Sequence, residues 1–153
     1  TIKMQIPYYV SVHLVRHKHG VEHYVKSQRN DRQKDYDRCA ARQDEIVTHI
    51  MEINAQALIS MSHMRLCAQA DKQTRETMEL IKDEILKVCP YLKDLLVPKC
   101  EYRGGLCDEF ESCGYYRKVF IDLFATQVFG MDKYDVSNLL DIAQGAYYDI
   151  AER

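Results

Sequence analysis

The sequence lacks the features that mark a membrane-spanning or repetitive protein. No apolar run approaches the roughly 18 residues that a membrane helix needs, and no signal-peptide pattern is present. There is no internal repeat or low-complexity segment, and the 153 residues include no tryptophan, only three prolines and six glycines. We therefore expect a globular chain that acts in the cytoplasm without membrane contact, because this length matches about one domain on the usual scale of 100–200 residues.

The chain also lacks an excess of charge of one sign. Its 21 Lys and Arg residues nearly balance 23 Asp and Glu residues, which leaves a formal charge of -2. A general binder of nucleic acid would carry a strongly basic surface. Nucleic acid is therefore not an expected partner, and any phosphate site must be a local cluster of cations.

Cysteine spacing leaves two interpretations open. The sequence has six cysteines, and two of them, Cys39 and Cys67, lie in stretches with a helical pattern, which favours reduced thiols over a secreted disulfide framework. A structural zinc site needs four ligands. The alternative is a loop of ordinary reduced thiols, since the usual two-residue spacing is absent. The candidate zinc ligands are Cys89, Cys100, Cys107 and Cys113, with Cys67 as another choice for the fourth.

The N-terminal third gives mixed signals about secondary structure. Residues 7–15 are apolar and aromatic, so they fit a buried strand or a helix that Pro7 opens. Gly20 ends that element, and residues 21–27 are predicted to be extended. Residues 30–42 are almost wholly polar and fit either a linker or the start of a long helix.

The remaining two thirds is predicted to be mostly helical. Residues 44–69 contain no Gly or Pro and repeat apolar side chains at helical steps. Asp71 is expected to cap a second helix that ends before Pro90. Residues 91–97 are expected to form a further short turn of helix. A loop at residues 98–114 then precedes two amphipathic helices. The apolar positions in the first helix are Ile46, Ile50, Ile53, Ala57, Met61 and Met64.

Residues 16–32 concentrate the polar chemistry of the chain. They hold three imidazoles, five cationic side chains, one glycine and a Ser-Gln-Arg turn. Arginine offers a planar fork to a phosphate, while histidine and lysine add single donors. The stretch therefore predicts a site for a phosphate or diphosphate, with a solvated cationic turn as the alternative.

Two motifs in order resemble the flavin-dependent thymidylate synthase family. The first runs Leu-Val-Arg-His-Lys at residues 14–18 and Ser-Gln-Arg at residues 27–29. The second runs Asn-Ala-x-x-Leu at residues 54–58 and Met-Arg at residues 64–65. The resemblance covers roughly residues 6–114 and is typical of a reduced, divergent relative of the kind that phages and prophages carry.

The sequence departs from the family's pattern at several positions of these motifs. Lys18 replaces an Arg of the first motif, and Gln56 replaces the Arg of the second. His13 stands where the family has a Gln that helps to hold the pyrimidine.

The resemblance implies a fold and an activity. The fold would be α+β and predominantly helical, with long helices around a short extended segment in residues 1–114. Residues 115–153 would be a helical extension that packs on the same domain or on a partner subunit. The chain would use FAD and NADPH to transfer a one-carbon unit from methylenetetrahydrofolate to C5 of a pyrimidine deoxynucleotide, most simply dUMP. Its active sites would lie between the subunits of a homo-oligomer in a bacterial or phage-infected cytoplasm.

The resemblance also implies roles for individual residues, none of them a catalytic nucleophile. Asn54 has a local alternative, in which its side chain holds a neighbouring backbone group, and Ser27 with Arg29 has the alternative of a simple turn cap. Residues that would bind the nucleotide are His13, Arg16, Ser27, Arg29, Arg38 and Arg65. Residues that would bind the flavin are His17, Lys18, His19, Asn54 and Ser60.

Three functions stay open on the sequence alone. The first is the flavin enzyme, where the His13 departure leaves room for dCMP or another pyrimidine as the acceptor, or for hydroxymethyl transfer. The second is a catalytically inactive subunit that binds nucleotide or flavin. The third is a helical nucleic-acid module that uses residues 26–42, which the net charge disfavours.

Overall fold

The structure, a computed structural model, describes residues 1–27, 29, 36–37 and 39–115. Arg38 and the predicted C-terminal helices beyond residue 115 lie outside the described residues. Among the helices that are described, none is both long and apolar enough to span a membrane. The elements are β1 (Ile2–Pro7), α1 (Tyr8–Leu14), β2 (Val21–Val25), β3 (Ile46–Ile53), α2 (Ala55–Arg65), α3 (Lys72–Val88), a 3₁₀ turn (Pro90–Leu92) and α4 (Lys99–Tyr102).

The three strands form one antiparallel sheet in the order β1-β3-β2. Strand β3 is central and exposes its two faces differently, because successive side chains of a strand point to opposite sides. Val47, His49 and Met51 are buried, whereas Ile46 is mostly exposed. The described part of the chain is therefore an α+β fold with a small sheet at its centre.

The predicted helix over residues 44–69 is wrong in its first half. Residues 46–53 are strand β3, and the helix begins only at Ala55. The isoleucines at helical spacing suggested a helix, but the same segment also alternates buried and exposed side chains with a period of two. Its β-branched residues are stiff at χ1 and pack well in a sheet. Residues 46–53 form a strand because β1 pairs with one of their edges and β2 with the other.

The N-terminal segment contains both of the alternatives left open. Residues up to Pro7 form strand β1, and Pro7 then opens helix α1. The amide groups of Tyr8 and Tyr9 donate to the carbonyls of Glu45 and Gln43 at 2.8 and 3.1 Å. These bonds satisfy donors that the first turn of a helix leaves unpaired. The segment before β3 thus holds the start of α1.

Helix α3 begins and ends as predicted. The Asp71 carboxylate accepts from the Thr74 amide at 2.9 Å and caps the first turn. The helix ends at Val88, and Pro90 starts a 3₁₀ turn in place of the longer helical turn expected there. The loop predicted for residues 98–114 is correct except that its start forms the single turn α4.

The hydrophobic core joins the buried face of β3 to the three longer helices. It is centred on side chains with no exposed surface, and the segment after α3 closes it with Leu96. Side chains of this kind make the largest contributions to stability, since each removes its full apolar area from water. The central members are Leu14, Met51, Met61, Met78 and Leu96.

Truncation of the central strand should be costly. Met51→Ala should lower the free energy of unfolding by about 2–5 kcal/mol, because it leaves a cavity in the core. Met64→Ala is the matched control, since Met64 is 58% exposed on α2 and should change stability by less than about 0.5 kcal/mol. Urea denaturation followed by circular dichroism measures both, and equal losses would contradict the placement of β3.

Candidate functional site

A cleft lies where the loop after α1 meets the first half of α2. Its volume is about 490 Å³, within the range of roughly 300–1,000 Å³ that small-molecule sites occupy. Among the described residues that line it, two are permanent cations and none is acidic. The lining residues are Arg16, His17, Lys18, His19, Gly20, Asn54, Gln56, Ala57 and Ser60.

The cleft joins the two motifs that are separate in the sequence. The register of β2 against β3 pairs Val21 with Ile53, so the residue before β2 lies beside the residue after β3. The Gly20 carbonyl accepts from the backbone N–H of Asn54 at 3.0 Å. The loop of residues 16–20 is thereby held against the start of α2.

Gly20 is required by its conformation and by its neighbour. Its φ angle is +72°, which L side chains rarely adopt. A Cβ at this position would lie only 2.5 Å from Nδ2 of Asn54. The close approach keeps the Asn54 amide at the wall of the cleft.

Asn54 is a helix cap and not the mid-helix residue that was predicted. Its Oδ1 accepts from the Ala57 amide at 2.8 Å and satisfies a donor of the first turn of α2. The alternative role, in which the side chain holds a nearby backbone group, is the one that the structure has. The cap uses one lone pair of the side-chain oxygen, and the side-chain nitrogen, which can only donate, lies beside Gly20.

Arg65 connects the end of α2 to the cleft loop. Its Nε donates to Nε2 of His17 at 2.9 Å, and its Nη2 donates to the His13 carbonyl at 2.8 Å. Side chains of a helix lean toward its N-terminus, which lets Arg65 reach back along α2. The structure therefore brings Arg65 to the loop of residues 16–20, although Arg65 does not line the cleft.

This contact fixes the tautomer of His17, and burial keeps its ring neutral. A guanidinium can only donate, so Nε2 of His17 accepts and the ring proton lies on Nδ1. Burial lowers the pKa of His17 to about 4, and the charges of Arg65 and His23 act in the same direction. Burial, and after it the charge of Arg16, also lowers the pKa of Arg65. His17 is thus a neutral imidazole at pH 7, next to the cations of the cleft.

Two further histidines support the loop, and their pairing was not predicted. Nε2 of His23 donates to the His17 carbonyl at 2.8 Å, so Nδ1 of His23 accepts from Nε2 of His49 at 2.9 Å. Nδ1 of His49 is buried and has no hydrogen-bond partner in the described part of the chain. Burial lowers the pKa of His49 to about 4, with the charge of His23 adding to it. The one sequence feature that pointed to this pairing was His49 itself, a polar residue within the largely apolar segment of residues 46–53.

The structure gives His13 a structural contact. Its Nδ1 donates to Oγ1 of Thr74 at 2.7 Å, and the Thr74 hydroxyl in turn donates to Asp71 at 2.9 Å. This chain of bonds holds α1 against the start of α3. Although His13 was predicted to bind the nucleotide, it does not line the cleft.

The structure does not bring Ser27 and Arg29 to the cleft of their own chain. The Ser27 hydroxyl accepts from the Arg29 amide at 3.3 Å, as in a simple turn. Strand β2 separates them from Gly20. It has five residues, each of which advances the chain by about 3.3 Å, so Ser27 and Arg29 lie beyond the end of β2 that is remote from Gly20. Ser60 does line the cleft, but its hydroxyl already donates to the Gln56 carbonyl at 2.9 Å.

The predicted zinc ligands do not form a ready-made site. All six cysteines are in the thiol form. Within residues 1–27, 29, 36–37 and 39–115, no three His, Cys, Asp or Glu side chains are placed to hold a metal ion together. A hydrogen bond with Cys89 is the main cause that raises the pKa of Tyr91, which places Cys89 beside the turn after α3.

No protein-family model, curated protein or solved structure matches the chain.

Substitution of Gly20 should separate backbone strain from steric clash. Gly104→Ala is the control, because Gly104 has a similar φ of +68° with nothing near its missing Cβ. We expect Gly104→Ala to lose about 1 kcal/mol from backbone strain alone. Gly20→Ala should lose roughly 2–4 kcal/mol, because overpacking against Asn54 adds to the strain. Urea midpoints measure the difference, and equal losses would argue against the Gly20–Asn54 contact.

Stability should fall in mild acid. Unfolded histidine has a pKa of about 6.5, while His17 and His49 titrate near 4 in the fold. Between these values the unfolded chain binds more protons, so the stabilisation is complete above pH 6.5 and declines as the pH falls toward 4. Urea midpoints at pH 7.5, 6 and 5 measure this decline. His49→Gln keeps a donor for His23 but cannot titrate, so its decline should be smaller, and an unchanged decline would contradict the assignment.

Proposed function

We propose that the chain is a flavin-dependent thymidylate synthase-like enzyme. With FAD and NADPH it would transfer a one-carbon unit from methylenetetrahydrofolate to C5 of a pyrimidine deoxynucleotide, most simply converting dUMP to dTMP. The observation that supports this best is the meeting of both family-like motifs, residues 16–20 and 54–60, at one cleft. The sequence separates them by more than thirty residues, so their convergence is a property of the fold.

The donors of the cleft fit a phosphorylated ligand. Arg16 can offer two parallel N–H groups to a phosphate, and Lys18 adds a compact charge. The N-terminus of α2 lies at the same wall, and the positive end of a helix favours an anion. With no carboxylate among the described lining residues, nothing there repels a phosphate. In the proposed function these groups hold the phosphates of FAD or of the nucleotide.

The other cleft residues would orient the ring systems. The amide nitrogen of Asn54 is held by its cap and by Gly20, so it would donate in a fixed direction to a ring carbonyl. His17 would present a neutral ring whose position Arg65 sets. Bound FAD would supply the redox chemistry of the transfer, and the chain would supply binding and orientation.

A homo-oligomer would complete the site. Ser27 and Arg29 lie away from the cleft of their own chain, so in this proposal they would contribute to the cleft of a neighbouring copy. Large apolar side chains on the described surface are available for such a contact, since Val88 is 80% and Tyr91 76% exposed.

Binding and turnover measurements test the proposal. The purified protein should bind FAD with a flavin absorption spectrum and form dTMP when dUMP, NADPH and methylenetetrahydrofolate are added. Arg16→Ala should weaken dUMP binding at least about tenfold, the effect of losing one charged hydrogen bond. Arg42→Ala is the control, because Arg42 pairs with Asp44 at 2.8 Å on the exposed surface away from the cleft. Equal affinities in both variants would remove Arg16 from the site.

One specific observation favours a second candidate. Gln56 lines the cleft at the position where the family's motif has an arginine, so a cation of the family's site is missing. The candidate is a catalytically inactive subunit that binds nucleotide or flavin, and it predicts FAD binding without dTMP formation. Turnover of dCMP in place of dUMP would instead identify a related transferase with a different base. A protein that binds neither FAD nor nucleotide would overturn all of these.

A further inference from the structure

The face of the sheet that points away from the core carries exposed apolar side chains. On β3, alternation places Ile46, Thr48, Ile50 and Glu52 on this outer face. Tyr24 of β2 lies directly opposite Ile50 in the register, so its ring shares the same face. Ile46 is 56% and Tyr24 51% exposed. Because a strand face that meets only water usually carries polar residues, these side chains favour a contact surface.

The described helices pack on the other face of the sheet. Met51 of β3 is fully buried in the core that joins the sheet to those helices. Lys3 and Gln5 of β1, which the register places opposite Ile50 and Thr48, are exposed. Within the described residues, the outer face therefore remains an open surface.

The charged residues of β2 stand at opposite ends of this outer face. Glu22 lies directly opposite Glu52 in the register, and the two form an acidic row at one end. Lys26 continues the pairing at the other end, where its backbone N–H donates to the Thr48 carbonyl at 2.9 Å. Since Glu22, Tyr24 and Lys26 are spaced by two residues, alternation places all three on the outer face. The face is thus acidic at one end, apolar in the middle and basic at the other end.

The acidic row favours a cationic partner. Like charges that lie directly opposite on neighbouring strands destabilise a sheet, and Glu22 and Glu52 are such a pair. The Tyr24 hydroxyl donates to the Glu22 carboxylate at 2.7 Å, but this bond adds no positive charge. A basic group placed over the row offsets the repulsion between the two carboxylates.

A second copy of the chain supplies this basic group from the same face. A two-fold axis that crosses β2 at Tyr24, perpendicular to the strands, places Lys26 of the partner subunit on Glu22. It also places Lys26 on the partner subunit's Glu22, because a two-fold interface repeats each contact. An axis parallel to the strands would instead set one acidic row against the other. The charge pattern therefore selects a second copy in the antiparallel orientation.

We propose that the outer face of the sheet, through Glu22, Tyr24, Lys26 and Ile50, is the interface of a homodimer. Sheets pack face to face about 10 Å apart, so the side chains of Tyr24 and Ile50 meet those of the second copy. Lys3, at the β1 edge, is moved off its own symmetry mate by the roughly 30° angle between aligned sheets. The ion pairs set the orientation, and the apolar side chains supply the buried area.

The dimer also brings the end of β2 to a neighbouring cleft. In the antiparallel orientation, the segment that follows β2 in one copy lies beside the loop that precedes β2 in the other. Ser27 and Arg29, which lie beyond the end of β2 remote from Gly20, thereby come to the side of the partner's cleft loop. Their part in ligand binding rests on the proposed function, whereas the dimer itself needs neither flavin nor nucleotide.

Sedimentation velocity of the full chain over a series of concentrations tests the interface. The wild-type protein should sediment as a dimer that high salt weakens, because salt screens exposed charges. Lys26→Glu and Glu22→Lys should each give a monomer, since each brings like charges together at two places. The double variant with both substitutions should regain the dimer, because the reversed charges pair again. Lys87→Glu is the matched control, since Lys87 is exposed on α3, and it should remain a dimer.

Two further measurements separate loss of the interface from loss of the fold. Circular dichroism reports whether each variant keeps its secondary structure. An equimolar mixture of the two single variants should form a dimer, because one outer face is then wholly acidic at these positions and the other wholly basic.

The proposal is overturned if the wild-type protein is a monomer at every concentration. It is also overturned if the double variant and the mixture both stay monomeric, or if Lys87→Glu dissociates as the β2 variants do. FAD and dUMP binding by the same proteins distinguishes the two proposals. A dimer that binds neither ligand contradicts the proposed function alone, whereas a monomeric wild-type protein that binds them contradicts this interface alone.

Discussion

The antiparallel pairing of β3 with β2 determines where the candidate site forms. Val21 lies opposite Ile53, so the loop that precedes β2 must lie beside the residue that follows β3. A slip of one residue would turn His49 and Met51 away from the core and would separate Gly20 from Asn54. The burial of the alternating face of β3 therefore holds the cleft in place, although no side chain of that face lines it.

Arg65 supports the candidate cleft through His17 without lining it. The Arg65 guanidinium donates to a ring nitrogen and to a backbone carbonyl, and it does not line the cleft. Arg16 and Lys18 keep their charges at the front, where a phosphate could reach them. His17 lies between Arg16 and Lys18 in the sequence. Its ring stays neutral and does not add a third positive charge to this loop, since burial and the nearby cations make its protonation unfavourable.

Helix α2 has different surroundings at its two ends. Its N-terminus, capped by Asn54, adds a positive dipole to a cationic cleft. Its C-terminal end lies against α4 and the cysteine-bearing loop.

Local signals in the sequence determined the features that depend on neighbouring residues. The Asp71 cap, the helix end before Pro90 and the cationic loop of residues 16–20 all follow from short-range geometry and composition. Only the tertiary structure decided that residues 46–53 form a strand, because the spacing of their isoleucines suggests a helix and the strands on each edge select a strand. It also decided the roles of Asn54, His13 and His49. Their partners lie in other elements or depend on where a helix begins, and residue type alone does not specify either.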